Sequence, residues 1–205
     1  MNIPNDLVSK WMIFLKKNPE YNERFTSCFW PSQLKSKAAI IELLNELDNR
    51  KVDNIFIFGG WYGVFADILY ENFNKYYFKF CYNIDIDPSC SKVFEMLNDN
   101  VNIIHETACM SDYKYPANPD IVINTSSEHV TQEIYDAWWD KIPSGTLFIV
   151  QGNNFFESEE HIRCHSTMEE FLLANHLPAL DCRIIDCGMC SDGSPFNRYL
   201  AYGVK

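Results

Sequence analysis

The stretch that decides the fold runs from residue 55 to residue 66 and reads IFIFGGWYGVFA. Its apolar first part is typical of a strand that helices cover on both faces. Gly59, Gly60 and Gly63 permit a tight turn after that strand, and a helix that begins near Val64 points its N-terminus at the turn. The stretch therefore predicts a strand, a glycine-rich turn and a helix, a unit that binds ligands in open parallel sheets.

Short apolar runs alternate with helical patterns along the rest of the chain. The predicted strands are Asn54–Phe58, Phe78–Ile84, Val101–His105, Ile121–Asn124, Thr146–Gln151, Ala179–Asp186 and Arg198–Val204. Strands that alternate with helices favour right-handed crossovers and a parallel sheet, whereas the last two are too close for a crossover helix. We predict an α/β fold with a doubly wound, mostly parallel seven-stranded sheet and a C-terminal antiparallel hairpin.

A helical extension precedes these strands. Ser32 is placed to cap a helix, on which Lys35 and Lys37 are expected to lie on the solvated face. We predict an N-terminal helical extension over residues 1–50, packed on a Rossmann-like domain over residues 51–205.

Composition narrows the function classes. The chain has 205 residues, 47% of them hydrophobic and 22% charged, which is typical of a globular protein. Against 28 Asp and Glu stand 17 Lys and Arg, a formal net charge of −11, so we do not expect extended nucleic acid as a partner. No apolar run approaches the ~20 residues of a membrane span.

The cysteines and the first residues bear on location. Eight cysteines at uneven spacings favour reduced thiols over a disulfide framework. Residues 1–17 lack the pattern of a signal peptide. We expect a cytoplasmic protein with no membrane partner.

A carboxylate follows the glycine turn at the end of the second predicted strand. The second predicted strand ends in a stretch that reads NIDIDP, over residues 83–88. Asp85 lies there, about twenty residues after the turn, where a carboxylate can accept hydrogen bonds from both hydroxyls of a ribose.

With these motifs in this order, residues 33–205 resemble the class I S-adenosylmethionine-dependent methyltransferases. The resemblance implies that Gly59, Gly60 and Gly63 line the methionine part of S-adenosylmethionine and that Asp85 holds its ribose. It also implies that the loop after the third strand contacts the adenine, through Asp112 and with Met110 as an apolar contact. An NAD-binding Rossmann domain shares the two motifs, but the chain length and the terminal hairpin disfavour it.

Two positions depart from the family pattern. Ile57 stands where the family usually carries an acidic residue, and Trp61 replaces the middle glycine of the turn. The alternative hypothesis is therefore a methyltransferase fold that serves as a non-catalytic binding or assembly module.

The end of the fourth strand supplies candidates for catalysis. Amino-group methyltransferases carry Asp/Asn-Pro-Pro-aromatic at this place, and Asn124 alone matches. Glu128 and His129 lie where an acceptor would meet the methyl group, and the pKa range of a histidine suits a general base. In the alternative, Ser126 or Ser127 caps the next helix and Glu128 complements its dipole.

The fifth strand ends in polar residues that suit a substrate site. Asn153 and Asn154 can orient a substrate, although asparagine is also a common turn former. His161 follows within reach of the same loop. Potential zinc ligands are His161, Cys164, His165, Cys182, Cys187 and Cys190. Two well-spaced ligand pairs are missing, so we assign no metal site.

The sequence thus predicts an S-adenosylmethionine-dependent methyltransferase with a small-molecule or protein acceptor. Catalytic candidates are Asn124, Glu128 and His129.

Overall fold

The computed structural model describes residues 1–47, 51–73, 78–177 and 181–205. The helices are α1 (Asn5–Lys17), α2 (Asn22–Thr26), α3 (Pro31–Glu46), α4 (Val64–Asn72), α5 (Ser89–Leu97), α6 (Gln132–Lys141) and α7 (Met168–Ala174). The strands are β1 (Asn54–Phe58), β2 (Phe80–Asp85), β3 (Ile103–Thr107), β4 (Ile121–Asn124), β5 (Leu147–Asn153), β6 (Asp181–Met189) and β7 (Pro195–Val204).

The seven strands form one sheet in the order β3-β2-β1-β4-β5-β7-β6. Strands β1 to β5 are parallel, and β7 runs antiparallel to both β5 and β6. The predicted fold class and its C-terminal hairpin are confirmed. Strand β3 begins at Ile103 rather than at Val101, whose side chain is 84% exposed. The start of the predicted strand Ala179–Asp186 lies outside the described residues.

Helices cover both faces because successive side chains of a strand point to opposite sides. Ile55 and Ile57 of β1 join a buried cluster with side chains of α1 to α5. Phe56 and Phe58 join a second cluster with side chains of α6 and α7. The sheet is therefore doubly wound.

The N-terminal helices share the first of these clusters with the sheet. Phe25 of α2 and Ile40 of α3 are fully buried in it. Helix α3 begins at Pro31, one residue before the predicted cap Ser32, because the fixed φ of proline suits the first helical position. The predicted domain boundary at residue 50 lies outside the described residues.

Lys37 is buried, so its predicted place on a solvated face is wrong. Its Nζ contacts the carbonyl oxygen of Cys28 and Oε1 of Gln33, each at 3.3 Å. Burial lowers the pKa of Lys37 to about 8, with nearby Arg198 adding to the effect. Lys35 is exposed, as predicted.

Among the described residues, no helix is both long and apolar enough to cross a membrane.

Candidate functional site

The turn after β1 is held in a left-handed backbone conformation. The φ angles are 71° at Gly59, 52° at Trp61 and 80° at Gly63. Trp61 thus keeps a glycine-like conformation at the place of the family's middle glycine. A Cβ atom on Gly63 would lie 2.6 Å from the ring of Phe94, so any other residue at this position requires that this ring move.

Two further glycines of the turn press against the segment after β4 and against β2. A Cβ atom would collide with Ser126 at Gly59 and with the Asn83 amide at Gly60. Asn83 is fully buried in β2, directly beside Ile57 in the sheet register. Its Nδ2 donates to the carbonyl of Trp61 at 3.1 Å, and its Oδ1 has no partner among the described residues. The position on β1 where the family usually carries an acid is therefore apolar Ile57, and the polar side chain beside it is the Asn83 amide on β2.

Asp85 ends β2 beside this turn. Its Oδ2 accepts from the backbone N–H of Trp61 at 2.9 Å, and its Oδ1 accepts from that of Asp87 at 3.0 Å. Each oxygen keeps a further lone pair, and the residue is half-buried. Ile86 follows with 66% of its surface exposed. A half-exposed carboxylate next to an apolar surface suits the ribose and base of a nucleoside, so these residues fit the cofactor implied by the resemblance.

The N-terminal extension reaches the same place. Arg24 of α2 forms an ion pair with Asp87. Its guanidinium lies over the rings of Trp61 and Tyr62, at 5.5 and 5.4 Å from their centroids. A cation over an aromatic face is attracted to it, so the extension is tied to the glycine turn.

The loop after β3 carries the residues assigned to the adenine. Met110 is buried and Asp112 is exposed, in one short 3₁₀ turn. Asn124, fully buried at the end of β4, places its Nδ2 3.7 Å from the sulfur of Met110. Its Oδ1 accepts from the N–H of Ser126 at 2.9 Å. Asn124 therefore links β4 to this turn.

Glu128 lies in a 3₁₀ turn after β4 with 1% of its surface exposed. Its Oε1 accepts from Nδ2 of Asn153 at 2.7 Å and lies 3.5 Å from Nη1 of buried Arg198. Its Oε2 is buried and has no hydrogen-bond partner among the described residues. A buried carboxylate oxygen without a partner is costly, so this position favours a hydrogen-bond donor or a cation at Oε2.

The capping alternative for this segment is wrong. Thr131 caps α6 by accepting from the N–H of Ile134 at 3.4 Å. Ser127 instead donates its hydroxyl to the carbonyl of Gln151 in β5. Glu128 therefore lies in a separate turn before the helix.

Two histidines lie beside Glu128. The rings of His129 and His161 meet edge to face, with their centroids 4.7 Å apart. Nδ1 of His129 lies 3.1 Å from the carbonyl of Glu160, and Nδ1 of His161 lies 2.9 Å from that of Phe155. A carbonyl can only accept, so each Nδ1 carries a proton, and in the neutral ring Nε2 keeps a free lone pair. Burial lowers the pKa of His161, which favours its neutral form.

Arg163 fixes the loop that carries His161. Its side chain donates to the Ser127 carbonyl at 2.9 Å, to Gln132 at 2.8 Å and to Asn175 at 2.7 Å. Its backbone N–H donates to the carbonyl of Glu128 at 3.1 Å. The loop is therefore attached to the turn on which Glu128 and His129 lie.

The predicted site residues divide into separate groups. The structure brings Glu128, His129, Asn153 and His161 together. Asn154 instead bonds the hairpin, through the Pro195 carbonyl at 2.9 Å and the N–H of Asn197 at 2.7 Å.

Sequence reasoning missed several residues of this edge, namely Arg24, Asn83, Ile86, Arg163 and Arg198. The sequence signal available for Asn83 and Arg198 was a polar residue within or at the start of a predicted apolar strand.

A cavity of about 120 Å³ lies at the opposite edge of the sheet. Its lining includes Ile121 and Leu147, the first residues of β4 and β5. It is therefore separate from the carboxyl-end groups described above.

No protein-family model matches the chain, and no curated protein matches its sequence. Solved structures do. The N-methyltransferase NodS from Bradyrhizobium japonicum WM9, in complex with S-adenosyl-L-homocysteine, superposes with a TM-score of 0.59 at 14% identity, over 93% of this chain and 90% of that one. A chain from the complex of the Haloferax volcanii Trm112 methyltransferase activator with its methyltransferase partner gives a TM-score of 0.62 at 14% identity, over 96% of both chains.

Spermidine synthase from Thermotoga maritima also matches, with a TM-score of 0.51 at 14% identity, over 76% of this chain and 54% of that one. It is not named as a methyltransferase, so the shared fold does not define the transferred group. The chain has the fold of the class I S-adenosylmethionine-dependent methyltransferases.

Proposed function

We propose that the protein is an S-adenosylmethionine-dependent methyltransferase that acts on a small-molecule or protein acceptor. The observation that carries the proposal is the half-exposed carboxylate of Asp85 at the end of β2, beside the left-handed turn after β1. In open α/β sheets, ligands bind outside the carboxyl ends of the strands, where the strand order reverses. Here that point lies between β1 and β4.

Three sets of residues would hold the cofactor. Gly59, Gly60 and Gly63 shape the turn against which its methionine part lies. Asp85 accepts hydrogen bonds from the ribose hydroxyls through its remaining lone pairs. The base lies against exposed Ile86 and the turn that contains Met110 and Asp112. When bound, S-adenosylmethionine supplies a methyl group on a positively charged sulfur.

The acceptor would bind at the ends of β4 and β5. Ser126, which contacts Gly59, lies between this region and the residues that would hold the cofactor. Asn153 orients Glu128 through its 2.7 Å hydrogen bond, and the free Nε2 lone pairs of His129 and His161 can take a proton from an acceptor. Asn124 positions the start of this turn. Asn154 supports the loop from the hairpin side.

The acceptor and the location are inferred from composition. A net charge of −11 disfavours a long polyanionic acceptor such as nucleic acid. All eight cysteines, each within the described residues, are free thiols, which is typical of a reducing compartment. We infer a cytoplasmic enzyme.

A second candidate function is a non-catalytic binding module with this fold. It is favoured by Ile57 in place of the acid and by Trp61, tied to Arg24, in place of the middle glycine.

Turnover separates the two functions. The protein is incubated with methyl-labelled S-adenosylmethionine and fractionated metabolite and peptide pools, and the formation of S-adenosylhomocysteine is measured by mass spectrometry. We expect turnover that depends on one acceptor fraction and disappears in Asp85→Ala and in His161→Ala. Turnover that is absent from every fraction, in a protein that binds the cofactor, would favour the binding module.

A further inference from the structure

The groups around Glu128 have the composition of a metal centre. Glu128, His129 and His161 each offer one ligand atom, and these atoms lie within 4.8 Å of one another. This set shares His161 with the cysteine-containing set suggested by the sequence, but it contains no cysteine and joins the turn after β4 to the loop after β5. We propose that Glu128, His129 and His161 bind a divalent transition-metal ion such as Co²⁺, Mn²⁺ or Zn²⁺.

The carboxylate supplies the first argument. Glu128 is 1% exposed, and its Oε2 lacks a partner among the described residues while Asn153 and Arg198 engage Oε1. A cation at Oε2 would remove the cost of this unpartnered oxygen. The charge of Arg198 opposes a cation, but it engages the other oxygen and thereby fixes the orientation of the carboxylate.

The histidines supply the second argument. A histidine that binds a metal nearly always donates its other ring N–H to a carbonyl or a carboxylate, which fixes the ring and leaves the ligating nitrogen free. His129 does so with the Glu160 carbonyl and His161 with the Phe155 carbonyl. Both Nε2 atoms are therefore prepared as ligands.

The spacing permits closure onto an ion. Ligand atoms around an ion bound at about 2.1 Å lie roughly 3–3.5 Å apart. One ligand atom of each residue lies within 4.8 Å of the other two, so the three side chains must approach one another by about 1–2 Å to close on an ion. Two imidazoles and one carboxylate suit first-row divalent ions and leave coordination positions open.

The open positions define a ligand class. They would take water or an oxygen of the acceptor, and a bound ion lowers the pKa of a coordinated hydroxyl. The acceptor is then a molecule with a metal-binding oxygen, which the ion orients, and the histidines act through the ion rather than as free bases. This step alone rests on the proposed function.

The metal is tested without the cofactor. Protein freed of metal with a chelator is titrated with Co²⁺ alone, followed by calorimetry and absorption. We expect one ion per chain, with the ligand-field bands of nitrogen and oxygen donors and without a thiolate-to-cobalt charge-transfer band. Zn²⁺ and Mn²⁺ should compete for the same site.

His129→Ala and His161→Ala should each weaken Co²⁺ binding by at least about 100-fold. His176→Asn is the matched control, since His176 is exposed and bonds Asp136 at 3.1 Å, and it should leave binding unchanged. Circular dichroism checks that each variant folds, and exposed His129 is the residue whose loss should disturb the fold least. Absent binding up to about 1 mM would overturn the site. So would a thiolate band, or an equal loss in His176→Asn.

The open positions are tested with acetohydroxamate, a bidentate oxygen ligand, added to the Co²⁺-loaded protein. A shifted cobalt spectrum supports an acceptor with a metal-binding oxygen, and an unchanged spectrum overturns that part. S-adenosylmethionine is titrated separately into the metal-free protein. Failure there with intact Co²⁺ binding overturns the proposed function and leaves the metal site standing.

Discussion

The two halves of the carboxyl edge are built in different ways. The ends of β1 and β2 are shaped by backbone: glycines pressed against neighbours, and an Asp85 carboxylate that accepts two backbone N–H groups. The ends of β4 and β5 are shaped by buried side chains that carry charge, with Glu128 between Asn153 and Arg198. The stability of the first half, which we call the glycine half, should therefore be sensitive to added side-chain volume. The stability of the second half, which we call the acceptor half because we propose that the acceptor binds there, should be sensitive to the removal of charge.

Replacement of Glu128 should give the largest effect on stability. Glu128→Leu leaves Arg198, 4% exposed, without its carboxylate, and an uncompensated buried charge costs about 3–5 kcal/mol. Glu128→Gln keeps an oxygen for Asn153 and should cost less. Urea unfolding of both variants measures the difference. Equal and small losses would mean that charge does not organise this half.

Helix α4, which follows the glycine turn, has a buried carboxyl of its own at Asp67, which accepts a hydrogen bond from the amide of Asn98. Burial raises the pKa of Asp67 in α4 to about 7, from its ordinary value near 4. The folded protein therefore keeps a proton that the unfolded chain releases above about pH 4, so the free energy of unfolding should fall between pH 4 and 7, by up to about 4 kcal/mol.

Asp67→Asn should abolish this fall, because an amide does not titrate and can still bond Asn98. Unfolding of the wild type and the variant at pH 5 and pH 8 tests the expectation. Parallel pH profiles would show that Asp67 is ionised in the folded protein.

Added volume at the turn should come next. Gly63→Ala places a Cβ atom 2.6 Å from Phe94 at a φ of 80°, so strain and overpacking together should cost about 2–3 kcal/mol. Gly145→Ala is the control, with a φ of 89° and no atom within 4 Å of the new Cβ, and it should pay for strain alone. Thermal unfolding compares them. Equal losses would mean that the contact with Phe94 does not restrict the turn.

Removal of one charge in the glycine half should alter binding more than stability. Asp85→Asn should weaken S-adenosylhomocysteine binding by about 10–100-fold, since hydrogen bonds to a charged group contribute about 1.5–3 kcal/mol. Asp112→Asn, at an exposed position, should weaken it less. Calorimetry measures both. The reverse order would move the ribose site away from Asp85.

The smallest effect should be that of Arg24→Ala. Its ion pair with Asp87 is partly exposed, and such pairs contribute about 1 kcal/mol or less. A loss of several kcal/mol in the free energy of unfolding would contradict this and show that the turn depends on the N-terminal extension.

The sequence predicted the elements of this molecule better than its site. Strands β1 and β4 lie at the predicted residues because unbroken apolar runs between turn formers leave little choice of boundary. Asp85 could be placed because the spacing from a glycine turn to the end of the next strand is fixed by one helix.

The contacts within the acceptor half could not be predicted from the sequence in the same way. Glu128 meets Arg198 across 70 positions, and His129 meets His161 because contacts such as those of Arg163 attach their loops to each other. Contacts of this kind depend on how loops fold over the sheet, and no local pattern encodes them. The burial of Lys37 was not predicted for a related reason. Its side chain contacts Cys28, in the segment before α3, whose sequence shows no clear helical periodicity.

The account rests most directly on cofactor binding at the glycine half, independent of the acceptor half. The decisive measurement is a calorimetric titration of S-adenosylmethionine into the wild type, Asp85→Ala and His129→Ala. We predict one site per chain in the wild type and in His129→Ala, and loss of binding in Asp85→Ala. No binding to the wild type at millimolar cofactor, or equal binding in Asp85→Ala, would contradict the account.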